Sequence, residues 1–115
     1  MGVSEFIIKL KKEGETVSFQ ETIAIIDANY HFTPTTFSNG NQINKVGINN
    51  GSCKIFAFAK LNQFDQLQTL SCFGSYYFDD VLKNLEGMDH QNIRNFMENG
   101  WNGICFEKEA LSMIK

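Results

Sequence analysis

Cys53, His90 and Asn92 stand in the chain order of a thiol hydrolase, which needs a nucleophile, a base, and an amide to orient the base. Cys53 lies where the polar stretch Asn49-Asn50-Gly51-Ser52 runs into the apolar residues Ile55 to Ala59. It therefore falls in the first turn of a predicted helix, where the positive end of the helix dipole favours thiolate over thiol. The dipole contributes less than about 1 kcal/mol at an exposed site, and the strongly apolar residues that follow pull the thiol the other way. His90 directly follows Asp89 at a second predicted helix start, placed to cap that helix or touch the preceding loop rather than to face a cysteine from a strand. The expectation is a structural Cys53. A thiol-dependent hydrolase or transferase using Cys53 with His90, oriented by Asn92 or Asn102, is the alternative.

The same helix start suggests a binding role. Unpaired backbone amides in a first turn attract anions, and Lys54 adds positive charge, so Ser52, Cys53 and Lys54 are candidate ligand-binding residues. Asp79, Asp80, Glu86, Asp89 and His90 make an acid-rich run with the close sequence pairs that metal binding needs, but adjacent carboxylates at a helix end are ordinarily just solvated. Neither a metal nor a cofactor is expected. His31, between Tyr30 and Phe32, is read as packing in an extended segment.

Composition narrows the function classes. The chain has 115 residues, 43% of them hydrophobic with 11 Phe, enough for one aromatic-rich core spanning residues 1–115 as a single domain. The net charge of -3, with basic residues scattered apart from Lys9, Lys11 and Lys12, argues against nucleic acid as a partner. No apolar run approaches the roughly 20 residues of a membrane span, and no cationic segment followed by an apolar one marks an export signal. Cys53, Cys72 and Cys105 are unpaired in spacing and read as reduced thiols of a cytosolic protein.

The elements that must position these residues follow from caps and spacing. Ser4 is expected to cap a helix carrying Phe6, Ile7 and Leu10, with Gly14 as its stop. Ser18-Phe19-Gln20-Glu21 matches a capping box and starts a helix to about residue 29 whose buried face is Phe19, Ile23, Ile26 and Tyr30. Pro34 keeps residues 30–37 extended. Residues 38–51, rich in Asn and Gly, read as a long connector holding a short hairpin, and as the first place to look for a binding surface. Ser52 is expected to cap a helix to Leu61, and Asp65 the next. Beyond Gly74, residues Tyr77, Phe78, Val81, Leu82 and Leu85 predict a second helix or a bend. Asp89 is expected to cap a helix ended by Gly100, with Ile93, Phe96 and Met97 inward. Residues 103–107 alternate like a strand, and 108–114 close as a helical turn or two. The expected fold is α+β and helix-dominated: a compact domain of five or six short helices with a small antiparallel β element from 30–37, 43–47 and 103–107. Ile55, Phe58 and Leu70 complete the expected core.

Four segments, FTPTTFSNG (32–40), NNGSCKIFAFA (49–59), CFGSYYFDDVL (72–82) and DHQNIRNFMENGWNGICFE (89–107), together resemble the HopJ type III effector family. The resemblance covers roughly residues 16–107. It implies a bacterial protein, cytoplasmic or delivered into a host cell, with a host or bacterial protein as its partner. It carries over no reaction, ligand or catalytic set. The expected role is a small soluble interaction or binding module; the oligomeric state is not readable.

Overall fold

Helix α1 (Val3–Glu13) opens the chain, of which the computed structural model describes residues 2–114. Gly2 rather than Ser4 occupies its cap, and Ser4 lies inside the first turn. Phe6 and Leu10, one turn apart, are its buried contacts. A single 3-10 turn (Gly14–Thr16) leads to α2 (Phe19–Asn29), whose capping box is formed: Ser18 Oγ accepts from the Glu21 amide at 3.0 Å, and the Ser18 amide donates to the Glu21 carboxylate at 3.4 Å. The buried face of α2 is rotated from the expected one, to Thr22, Ile25 and Ile26, leaving Phe19 and Ile23 half-buried. The reason is Thr22, whose hydroxyl donates to the Cys72 carbonyl at 2.9 Å and so satisfies its polar atom inside the core.

Two small antiparallel sheets follow. β2 (Phe37–Asn39) and β3 (Gln42–Asn44) form a hairpin in which Gly40, with φ +61°, supplies the positive first turn angle that a two-residue connection needs. β4 (Ile104–Phe106) joins the other edge of β2, giving the order β3-β2-β4. β1 (Tyr30–Phe32) pairs instead with β5 (Leu111–Met113), so the expected closing helical turn over 108–114 is a strand. The tail can add to β1 because Tyr30 and Leu111 both bury against the core.

Between the strands lies α3 (Asn50–Leu61), with Cys53 and every residue from Ile55 to Ala59 buried, as an all-apolar central helix must be. Phe58 packs against Phe6, Tyr30 and Phe64, with ring centroids 5.6–5.9 Å away. Phe56 meets Phe37, Phe73, Phe96 and Trp101 at 5.0–6.5 Å. The short α4 (Gln66–Ser71) is capped by Asp65 through the Gln68 amide at 2.8 Å. Gly74, with φ +61°, then lets the backbone pass so close to α2 that a Cβ there would lie 2.7 Å from the Phe19 nitrogen. Tyr76–Val81 forms a π-helical turn that stops early, leaving Leu82 and Leu85 exposed instead of continuing the period. α5 (Gln91–Asn99) buries Asn92, Ile93 and Phe96, with Met97 half-buried beside them. Its cap is His90, not Asp89, and Gly100 at φ +59° turns the chain so that Trp101 covers Phe96. Among the described residues the result is an α+β fold of six helices, counting the π-helical segment, around one aromatic core.

Candidate functional site

The first turns of α3 and α5 line one cleft of about 400 Å³, to which they contribute Gly51, Ser52, Gln91, Asn92 and Ile93. Neither helix has a side-chain cap. Both N-cap residues, Asn49 (φ 58°) and His90 (φ 50°), hold the left-handed conformation, which is sparsely populated for non-glycine residues and gathers at functional sites. The Ser52 expected at the cap is instead the third residue of α3, with its backbone in the first turn.

One wall is aromatic. Phe19 meets Tyr76 edge-on at 5.0 Å, and Tyr76 lies 5.0 Å from the His90 ring at a tilt of 32°. Asp80, one turn beyond Tyr76 on the π-helical segment, places Oδ2 3.0 Å from His90 Nε2, and Asp89 Oδ2 stands 3.8 Å away. An ionised carboxylate only accepts, so in the neutral imidazole the Asp80 contact selects the tautomer protonated on Nε2, with the lone pair on Nδ1. Asp89 is also clamped by Arg94 at 2.6 Å, and this hydrogen bond, ahead of any charge effect, holds its carboxyl below the usual carboxylate range. Arg94 further donates to the carbonyls of Asn84, Leu85 and Asp89, stapling the 84–89 loop to α5.

Asn49 and Asn92, which line the cleft, belong to a cluster of amides. Asn44 and Asn92 pair reciprocally, Asn92 Nδ2 donating to Asn44 Oδ1 at 2.9 Å and Asn44 Nδ2 to Asn92 Oδ1 at 3.1 Å. Asn39 Nδ2 donates to the Asn92 carbonyl and to Asn92 Oδ1, while Asn49 Nδ2 donates to Asn44 Oδ1 at 2.7 Å. Asn39, Asn44 and Asn92 are all buried, and Asn39 Oδ1 has no hydrogen-bond partner among the described residues. This network locks the hairpin and both helix starts together.

The residues singled out in the sequence divide sharply. Ser52, His90 and Asn92 line the cleft; Cys53 and Lys54 do not. Cys53 is 1% exposed, its Sγ is 4.0 Å from the Thr35 carbonyl, and burial raises its thiol against the smaller opposing effect of that contact. Asn92 is committed to Asn44 and Asn39 rather than to His90. Lys54 is turned to the Asp27 carboxylate at 2.8 Å and lies 5.1 Å from the Phe32 ring centroid. The partner that orients His90 is Asp80, which the sequence placed only in a solvated acidic run. Its signal is the Tyr76/Asp80 spacing of one helical turn ahead of a histidine-containing loop. Among the described residues no group of three or more His, Cys, Asp or Glu could hold a metal ion. His31 sits exposed on β1. A second groove of about 660 Å³ beside β5 combines apolar residues with Lys60, Glu107, Lys108 and Glu109 and brings no comparable set of polar groups together.

Comparison with known proteins agrees over almost the whole chain. The model of the family described as HopJ type III effector protein matches residues 3–111. A crystal structure of the unknown-function protein VPA0580 is similar at 51% identity and a TM-score of 0.98, covering 99% of this chain and 95% of that one. No curated protein matches. No helix among the described residues is long and apolar enough to cross a membrane.

Proposed function

The chain belongs to the HopJ type III effector protein family, and from that premise we propose that it is a small single-domain binding module whose recognition surface is the cleft between α3 and α5. The observation that carries this reading is the meeting of two helix N-termini, neither capped by a side chain, in one cleft. Each N-terminus presents unpaired amides and about half a positive charge, so an oxygen acceptor in the cleft would be attracted from two sides. Asp80 and Asp89 stand close by. Their charge, together with the withdrawal of Lys54 to Asp27, disfavours multiply charged phosphates. The ligand class that fits is a small molecule or peptide group with a carboxylate or carbonyl oxygen and an apolar face to lie against Phe19, Phe73 and Tyr76. The family name extends the proposal to a host or bacterial setting in which that group is met.

Titration of the 15N-labelled protein with sodium acetate tests the reading. The amides of Gly51, Ser52, Gln91 and Asn92 are expected to shift in concert and saturate, with inorganic phosphate weaker than acetate. Absence of any saturable shift at these four amides up to about 100 mM, a concentration that reaches affinities as weak as about 1.4 kcal/mol, would remove the cleft as the recognition surface.

A further inference from the structure

We propose that the cleft also performs chemistry, hydrolysing carboxylic esters with Ser52 as nucleophile, His90 as general base and Asp80 as the residue that positions His90. The inference rests on the cleft being the ligand site. The thiol that the sequence offered as a nucleophile is buried beneath α3, but its neighbour Ser52 lines the cleft from the first turn of the same helix. His90 lines it from the start of α5. The Asp80 contact at 3.0 Å holds His90 Nε2 in its protonated form, so Nδ1 is the nitrogen able to take a proton. Besides Asp80, the groups facing His90 are Asp89 Oδ2 at 3.8 Å and the Tyr76 ring at 5.0 Å. No hydrogen bond joins Ser52 Oγ to His90 among the described residues; catalytic contacts are commonly loose without substrate and close in its complex. This nucleophile, base and positioning carboxylate have the roles of a serine hydrolase triad.

The reaction balances with water alone. Ser52 Oγ bonds to the ester carbonyl carbon while its proton passes to His90 Nδ1, and the carbonyl oxygen takes the negative charge. The amides of Gly51 and Ser52, unpaired in the first turn of α3, can receive that oxyanion. Collapse breaks the carbon–oxygen bond to the alcohol, which leaves with the proton from Nδ1. Water then attacks the acyl group on Ser52, giving its proton to Nδ1; the carboxylic acid departs and Ser52 Oγ recovers the proton. One ester and one water yield one acid and one alcohol. The aromatic wall suits an aryl or short acyl ester.

The wild-type protein is exposed to a fluorophosphonate probe and the modified residue found by peptide mapping, alongside p-nitrophenyl acetate turnover and the acetate titration above. Stoichiometric phosphonylation of Ser52 is expected, with turnover falling about a hundredfold in Ser52→Ala and in His90→Gln. Turnover should rise with pH along one ionisation that His90→Gln lacks. Asp80→Asn should lower kcat about tenfold without raising KM, and Asp80→Glu should restore part of it. Labelling elsewhere or nowhere, with the acetate shifts intact, overturns the chemistry and leaves the binding reading standing. Loss of the acetate shifts in the wild type overturns both. Because peptide mapping needs no variant, poor folding of Ser52→Ala does not rescue the proposal.

Discussion

Helix α3 passes through two environments that solve burial in opposite ways. Its middle is dry: Phe56 and Phe58 each anchor a cluster of rings, and neither is exposed at all. Its start is polar, with Asn49 exposed at the surface but tied to Asn44 and through it to Asn92 and Asn39, all three buried. Ring packing is non-directional and spreads its stabilisation over many small contacts. The amide cluster is directional, and each bond mainly cancels the desolvation of its two groups. The aromatic region therefore supplies stability, and the amide region supplies geometry, holding the two helix starts at the cleft.

The comparison breaks most decisively at Phe58. Replacing it by Ala should cost about 3–5 kcal/mol in urea unfolding, because the cavity is fenced by three rigid rings and an α-helix. A cost near 1 kcal/mol would show that the rings close over the gap. Asn92→Leu should cost about 2–3 kcal/mol, from the unsatisfied groups it strands on Asn39 and Asn44. The paired change Asn44→Leu with Asn92→Leu should cost less than the sum of the single changes, a non-additivity that a double-mutant cycle reads directly. Additive costs would mean that the amides do not act as a unit.

Thiol labelling sharpens the contrast at a smaller scale. Burial pushes the Cys72 thiol up to about 12 and raises Cys53 as well, whereas Cys105 is exposed on β4. Iodoacetamide at neutral pH should therefore modify Cys105 first, with Cys53 and Cys72 reacting at rates that track unfolding. The folded state favours the protonated thiols. Their contribution is therefore intact below the ordinary thiol value of 9.0 and is lost as pH rises from there toward about 12 for Cys72. Fast native labelling of Cys53, lost in His90→Ala, would restore the thiol-enzyme reading. The smallest effect concerns Asp89, whose depressed carboxyl contributes stability above the usual carboxylate range and loses it as pH falls through its folded value. Asp89→Asn should flatten that acid limb slightly and loosen the 84–89 loop in hydrogen exchange, with little change at neutral pH, since the Asp89 carboxylate is exposed.

Local rules were legible in the residues themselves. The Ser18 capping box, the Asp65 cap, the Gly100 stop and the all-apolar middle of α3 each depend on neighbours within a turn or two, so the chain alone determines them. The helix-dominated α+β class follows from the same local signals, and the family from the order of four separated segments. The burial of Thr22, Asn39 and Asn44 had no local signal, because an isolated polar side chain signals exposure or a turn, and only a partner 48 or more residues away along the chain makes burial tolerable. Period-two alternation from Phe37 puts Asn39 inward, but nothing local says that α5 will be there to meet it. The tail strand β5 likewise exists only because β1 offers an edge. The cleft is the extreme case. Whether Cys53 or Ser52 faces it is a rotation of about 100° on one helix, and whether His90 answers to Asn92 or Asp80 depends on how the π-helical turn packs against α5. Residue types and spacing set the starts at Ser18 and Asp65 and missed the caps of α1, α3 and α5 by one to three residues; the side chains that meet at the cleft were decided by packing between elements, because contacts distant in the chain carry no local signature.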